Sequence, residues 1–205
     1  MKYTGPKARR VRRQQMNIYA ADKYDKILQK KPYGPGKSAK FRPSRPSEYS
    51  RQLLEKQRAR DMYGLSEKQF QNLYAEASTQ TGQTGDAMKQ MLERRLDNVV
   101  YRAGLARTRL QSRQFVGHGL FMVNGKRVTT PSYRVRPGET ITIRSQSKDS
   151  PVFATIVSAN EKYLPPKWIK VDSGALKIEV ITLPEPADAE QALDMRQIIE
   201  FYSRN

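Results

Sequence analysis

The sequence predicts an α+β protein with a helical N-terminal lobe and a second part in which two short helices pack on a small twisted antiparallel sheet. Three observations predict it. Apolar residues recur at helical spacing along residues 92–104. From Leu120 to Arg144 the apolar period changes to two, which is typical of strands. Asn124-Gly125 stands between apolar runs and predicts a β-hairpin, because both central residues of a type I′ turn need positive φ.

Residues 1–46 predict a basic, extended arm. They contain five prolines, several glycines and few aliphatic residues, so they bury little apolar surface by themselves. Residues 1–60 hold 18 Lys and Arg against 4 Asp and Glu. Such a run is a solvated tail without a partner, whereas against a phosphate backbone it supplies counter-ion sites. The candidate RNA-binding cations of the arm are Lys7, Arg9, Arg10, Arg12, Arg13, Lys37, Lys40, Arg42 and Arg45.

A helical lobe is expected over residues 47–85. Ser47 starts a helix that ends near Tyr63, and Ser66 with Gln69 forms a capping box that starts the next one. Because the link is short, the two helices should pack as a hairpin. The first helix adds two candidate RNA contacts, Arg51 and Arg58.

Residues 92–104 predict one helix whose charged residues are sorted by side. Glu93 and Asp97 fall on one flank of the apolar stripe. The other flank carries the candidate RNA-binding residues Arg95, Asn98 and Arg102. Alone, such a charged flank is usually a solvated helix face, so the RNA reading depends on the other basic clusters.

A second, short helix follows, because Thr108 with Gln111 fits a capping box. His118-Gly119 closes it. His118 is read as a cap or an RNA contact rather than as a general base, since it lies at a helix end in a basic module. The candidate RNA contacts of this helix are Arg109, Gln111, Arg113, Gln114 and His118.

The sheet is predicted from five strand-like segments after the first strand. Lys126 and Arg127, both candidate RNA contacts, begin the second arm of the Asn-Gly hairpin. Ser132–Arg136 and Glu139–Arg144 are expected as the next two strands. A second hairpin, over 168–171 and 176–181, extends the sheet.

The charge balance predicts a polyanion as partner. The chain has 38 Lys and Arg against 20 Asp and Glu, a net charge of +18, and a pI near 10.2. Nucleic acid is the usual partner of such a field, and an anionic membrane surface is the competitor. No stretch approaches the roughly 20 apolar residues of a membrane span. The sequence has one His and no Cys, and no pair of acids in an apolar setting, so no enzyme activity, metal or cofactor is expected.

Several strings in the right order resemble a known family. The strings are Leu92–Arg102, Ser112-Arg113-Gln114, His118-Gly119, Val123-Asn124-Gly125, Pro131–Gly138, Tyr3–Pro6 and Ile199–Arg204. The first four resemble the S-four RNA-binding domain, and together they resemble the bacterial-type S-four family of small-subunit ribosomal proteins over nearly the whole chain. The family usually has zinc-binding cysteines near Ala8 and Val11, so this chain resembles the zinc-less variant. Residues 7–32 must then be held by packing or by RNA.

The resemblance implies a domain organisation and a function. The S-four RNA-binding domain, residues 86–185, is an insertion, and residues 186–205 return to pack on the helical lobe. The implied function is primary binding of ribosomal RNA at a multi-helix junction of the 5′ domain, nucleation of small-subunit assembly, and a contribution to translational accuracy near the mRNA entry path. Its implied partners are ribosomal RNA, a neighbouring S-five protein, mRNA near the entry channel and the chain's own mRNA, in the cytoplasm on the small subunit.

A different class stays open. A free-standing RNA chaperone or stress-response RNA binder can be built on the same module. Such a protein has no need of the long N-terminal lobe or of the ending Ile199–Arg204.

Overall fold

The computed structural model describes residues 3, 5–38, 40, 45–148, 150–159, 163–172 and 174–204. The chain forms two compact units, Met1–Ala87 with Gln191–Asn205, and Met88–Glu190. The helices of the described residues are α1 (Lys7–Gln14), α2 (Asp22–Lys30), α3 (Glu48–Met62), α4 (Glu67–Ser78), α5 (Thr84–Glu93), α6 (Leu96–Arg102), α7 (Arg109–Gly117), α8 (Ser145–Lys148), α9 (Pro151–Ala159) and α10 (Met195–Ser203). The strands are β1 (Phe121–Val123), β2 (Lys126–Arg127), β3 (Thr140–Ile143), β4 (Ile169–Asp172) and β5 (Lys177–Val180). This mixture of helices and antiparallel strands confirms the predicted α+β class.

The described part of residues 1–46 is not the extended arm that the sequence predicted. It folds into α1 and α2, which pack on each other. Val11, Ile18, Tyr19 and Tyr24 are buried there. The prediction was wrong because it counted aliphatic residues alone, whereas two tyrosines supply much of the buried surface. Arg10 also pairs with the buried carboxylate of Asp61 on α3, which ties α1 to the helical lobe.

In the same unit, α10 is the packing partner of α3. Tyr202 of α10 stacks on Tyr74 with 4.8 Å between ring centroids, so α10 also contacts α4. The expected α3–α4 hairpin is therefore replaced by packing of both helices on α10. The predicted capping box of Ser66 with Gln69 is confirmed, since each side chain bonds the other's backbone N–H.

Glu67 joins these three helices through its carboxylate. It accepts hydrogen bonds from Lys56 at 2.6 Å, Arg60 at 2.8 Å and the Tyr202 hydroxyl at 3.0 Å. Burial by itself raises the pKa of Glu67, but the hydrogen bond and charge of Lys56, helped by the other two donors, leave the pKa below its usual value. Lys56 is itself buried.

The second unit is built on an antiparallel sheet of order β2-β1-β3-β5-β4. Phe121 pairs with Ile143 and Ile141 with Ile178, so the apolar residues of alternate positions share one buried face. Helices α6 and α7 pack on each other, and Val99, Val100 and Val116 join the same core. The Asn124-Gly125 turn is confirmed, with φ of 48° and 77°.

Two predictions for this unit were wrong, and they have one cause. The expected continuous helix over 92–104 breaks at Arg95, which is extended (φ −66°, ψ 134°), and α6 begins at Leu96. The expected strand Ser132–Arg136 is not part of the sheet. Instead, the segment pairs with the helix break: Leu96 N–H donates to Tyr133 O at 2.8 Å and Val135 N–H donates to Arg94 O at 2.9 Å.

Candidate RNA-binding surface

A buried carboxylate holds one group of the predicted RNA contacts. Glu93, the last residue of α5, is fully buried. It accepts from Asn98 Nδ2 at 2.8 Å, from Arg102 Nε at 2.9 Å and from Arg102 Nη2 at 3.1 Å. The fork of Arg102 is thus held bidentately, which fixes its direction.

A second carboxylate, Asp97, organises the other flank. It accepts from Arg95 Nε at 3.1 Å and Nη2 at 2.8 Å, and from Arg113 Nη1 of α7 at 3.0 Å. Its backbone oxygen accepts from the Ser112 hydroxyl. The predicted sorting of acids and bases onto opposite flanks was therefore wrong: with the helix broken at Arg95, both acids lie among the arginines.

The structure buries two of the predicted contacts. Arg95 is 5% exposed and Asn98 is 2% exposed. Because their polar groups bond within the module, we assign them to positioning: Arg95 to Asp97, and Asn98 to Glu93 and Arg109. Gln111 is likewise engaged, since its Oε1 accepts from Arg107 N–H at 2.8 Å. The Thr108 side chain caps the helix by accepting from Gln111 N–H. The Gln111 side chain, however, accepts from the backbone N–H of Arg107 and not from that of Thr108, which the capping box predicted.

Arg109 lies at the edge of this network. Its Nε donates to Asn98 Oδ1 at 2.9 Å and its Nη2 to Glu190 Oε2 at 3.0 Å. The guanidinium stands over the Tyr101 ring, 4.5 Å from the centroid. Glu190 is only partly buried and also lies 3.9 Å from Arg102 Nη2. A partly exposed carboxylate thus lies between the two arginines.

Four of the predicted contacts in this unit, on the hairpin and near the end of α7, are exposed. Lys126 and Arg127 are exposed, as are Gln114 and His118. Arg127 Nη2 donates to His118 O at 3.1 Å, and its guanidinium lies against Gly119. A Cβ at Gly119 would come within 2.3 Å of Arg127 Nε, so the glycine leaves the space that the arginine fills. This surface matches the sequence prediction for the hairpin.

In the other unit, some predicted cations are engaged and others face solvent. Arg12 donates to Tyr33 O and Gly34 O, and Arg58 pairs with Glu55 and donates to Gln14 O. Among the predicted cations that the structure describes in this unit, the exposed ones are Arg9, Arg13, Lys37, Lys40, Arg45 and Arg51. Lys7 is partly buried, 5.8 Å from the Tyr19 ring centroid. Arg42 lies outside the described residues.

Sequence reasoning missed the acids that orient the arginines. Glu93, Asp97 and Glu190 carry the wrong charge for RNA binding, so a search for basic clusters passes over them. The sequence offers one clue to these acids, the spacing of Glu93 from Arg102 and of Asp97 from Arg113. That spacing can be interpreted only once the break in the helix is known. Arg107 and Arg136 are also exposed, and they were not among the predicted contacts.

The described residues hold no group of three or more His, Asp or Glu side chains placed to bind a metal ion. Within the same part of the chain, every helix is too short or too polar to cross a bilayer. The features that the structure does present are exposed arginines and lysines on two units, one of them a helix-pair on a twisted sheet. They define a basic α+β protein of the nucleic-acid-binding class.

The comparisons with known proteins identify the family. Residues 2–93 match the family described as Ribosomal protein S4/S9 N-terminal domain, and residues 94–141 match the S4 domain. The chain is 44% identical over 203 residues to the small ribosomal subunit protein uS4 of Corynebacterium kroppenstedtii, with 99% of both chains covered. It is 41% identical over 206 residues to the uS4 protein of a Roseiflexus species and 43% identical over 204 residues to that of Parabacteroides distasonis, again with 99% coverage of both chains. The chain belongs to the S4 family of ribosomal proteins, as the sequence resemblance indicated.

Proposed function

We propose that this chain is a structural constituent of the small ribosomal subunit and binds its ribosomal RNA. The observation that carries the proposal is that both units expose cations while the nearby acids Glu93, Asp97 and Asp61 are turned inward. The surface that RNA meets is therefore more positive than the composition alone suggests. The full-length similarity to uS4 proteins supports the same function.

The mechanism that fits these surfaces is recognition of RNA shape through its phosphates. Arginines held by buried carboxylates have fixed directions, whereas Lys126 at the hairpin is exposed and follows the RNA backbone. With cations on each of two units, one chain contacts more than one RNA helix. We propose that it clamps a multi-helix junction of the 5′ domain and so nucleates assembly of the subunit.

Finer parts of the function rest on family resemblance. We propose a contribution to translational accuracy near the mRNA entry path, with a neighbouring S-five protein and entering mRNA as contacts. Binding to the chain's own mRNA belongs to the same proposal, since an RNA that mimics the ribosomal site offers the same phosphates. The proposed location is the small ribosomal subunit in the cytoplasm. No catalytic activity is proposed.

The test compares RNA footprints and salt dependence. Chemical footprinting of ribosomal RNA with the wild-type chain should protect nucleotides of several helices around one junction. In filter binding, the variant Lys126→Gln/Arg127→Gln should reduce the slope of log affinity against log salt by about 2, because each phosphate contact adds about one unit. The matched control Lys68→Gln/Arg196→Gln removes two exposed charges from the other unit and should leave the hairpin-dependent protections unchanged.

The alternative is the free-standing RNA chaperone or stress-response binder. Sucrose-gradient fractionation separates the two, because a ribosomal constituent co-sediments stoichiometrically with 30S particles and a chaperone does not. A chain that stays out of 30S particles, or that binds all polyanions equally at moderate salt, would overturn the proposal.

A further inference from the structure

A cleft in the N-terminal unit carries an inference about which form of RNA this unit takes. The cleft has a volume of about 420 Å³ and is lined by Tyr3, Arg9, Arg10, Arg13, Pro35 and Gly36. We propose that it receives a single unpaired nucleotide, whose phosphate lies between Arg9 and Arg13 and whose base lies against the Tyr3–Arg10 pair. The inference rests on the proposed function only in taking RNA as the ligand.

The charge of the cleft comes from Arg9 and Arg13. They are four residues apart on α1, so they project from the same side one turn apart. Both are exposed, and among the residues that the structure describes neither guanidinium has a hydrogen-bonding or ion-pairing partner. Among the described residues, the lining contains no acid. Two unengaged guanidinium groups beside one concavity suit a phosphate, which accepts bidentate hydrogen bonds from arginine.

Tyr3 and Arg10 supply a flat surface. The Arg10 guanidinium lies over the Tyr3 ring, 3.6 Å from its centroid, and is also paired with Asp61. Because Asp61 neutralises it, Arg10 contributes a plane rather than net charge. Tyr3 Oη donates to Pro6 O at 3.3 Å. A Cβ at Gly5 would stand 2.7 Å from the Tyr3 ring, so only glycine there lets the ring fold back under Arg10.

The facing wall is a short loop whose position is fixed. Arg12 donates to Tyr33 O at 3.0 Å and to Gly34 O at 3.1 Å, and it lies 5.0 Å from the Tyr33 ring centroid. Gly36, at the cleft, has a φ of 74° and nothing within 4 Å of the place where a Cβ would stand. The wall therefore leaves the cleft open where a side chain would otherwise fill it.

The dimensions select one nucleotide over a helix. A volume of this size matches pockets for small molecules, and an RNA duplex is too wide to enter. Single unpaired bases are commonly recognised by stacking on aromatic rings and on arginine planes, with the backbone held by cations. The cleft offers both parts side by side. We therefore assign it to a nucleotide splayed out of a loop, bulge or junction.

The test uses the full-length chain and a ribosomal RNA fragment spanning the footprint. In nucleotide-resolution footprinting, Arg9→Gln/Arg13→Gln should lose protection at one or two adjacent unpaired nucleotides while the rest of the footprint stays. Its salt slope should fall by about 1, because the variant loses the contact with one phosphate. Tyr3→Leu should lower affinity by about tenfold, whereas Tyr3→Phe keeps the ring and should bind like wild type. Lys68→Gln/Arg196→Gln is the charge-matched control.

The outcomes separate the two proposals. The cleft is not a nucleotide pocket if Arg9→Gln/Arg13→Gln weakens all protections evenly, if the lost protection falls on base-paired nucleotides, or if no protection is lost. In each of these cases ribosomal RNA binding stands. If the wild-type chain fails to protect a junction at all, the proposed function fails. Arg9 and Arg13 are exposed, so their removal leaves the packing of α1 intact, as circular dichroism will verify.

Discussion

The buried carboxylate of Glu93 makes the sharpest stability prediction. Glu93→Ala removes the acceptor of three N–H groups, one from Asn98 and two from Arg102. Removing one partner of a buried ion pair costs about 3–5 kcal/mol. The Arg102 side chain is 17% exposed and regains some water, whereas Asn98 does not, so we expect the lower end, about 3 kcal/mol.

The assay is urea denaturation followed by tryptophan fluorescence. Trp168 is the only tryptophan of the chain and is buried in the same unit as Glu93, so its emission reports that unit. With an m value of about 1.5–2 kcal/mol/M, the midpoint should fall by about 1.5–2 M. Glu93→Gln keeps one acceptor oxygen, so its urea midpoint should lie between those of the wild type and Glu93→Ala. Glu179→Ala removes a partly exposed acid of β5 whose ion pair with Lys177 is screened by water, so it should change the midpoint little. A Glu93→Ala midpoint equal to that of Glu179→Ala would refute the reasoning.

Three further predictions concern RNA affinity and pH. Glu190→Gln should raise RNA affinity by about two- to fivefold in filter binding, because Arg109 loses a competing carboxylate. Gly119→Ala should weaken RNA binding as much as Arg127→Gln does, since the new Cβ displaces the arginine, and should cost about 1 kcal/mol of backbone strain at φ 71°. Glu67→Gln should remove part of the acid sensitivity seen by circular dichroism: a lowered pKa stabilises the folded state above about pH 4.5 and this stability is lost as pH falls through the folded pKa.

Each of these has a result that contradicts it. Unchanged or lower affinity for Glu190→Gln would show that the carboxylate does not compete with phosphate. Gly119→Ala binding like wild type would mean that Arg127 makes no RNA contact from its observed place. For Glu67→Gln, the difference in melting temperature from wild type should shrink between pH 5 and pH 3; a constant difference would show that the charge of Glu67 is not what stabilises the helices.

Local signals in the sequence were enough for most elements of the fold. The turn at Asn124-Gly125 and the cap at Ser66 each depend on a few neighbouring residues, so the pattern contains the answer. The break at Arg95 is different. Helical periodicity runs straight through it, and the break is decided by hydrogen bonds to Tyr133 and Val135, about 40 residues later, which no local pattern contains.

The candidate surface was predicted unevenly for the same reason. The hairpin cations Lys126 and Arg127 are exposed as expected, because their position depends only on the turn. The helix arginines were expected on a flank without acids. Because the helix breaks at Arg95, Glu93 lies beside Arg102 and Asp97 lies beside Arg113. A helical projection assumes one continuous axis, so it cannot place Glu93 beside Arg102.

The internal acids lead to an unusual expectation for how this family tolerates change. Neutralising an acid on a protein that binds a polyanion should ordinarily raise the affinity. We expect this result at the partly exposed Glu190. At Glu93 the same exchange would leave the Arg102 side chain with several rotamers. The entropic cost of ordering that side chain would then fall on RNA binding and no longer on folding. Loss of negative charge there should therefore loosen the complex, chiefly by speeding its dissociation.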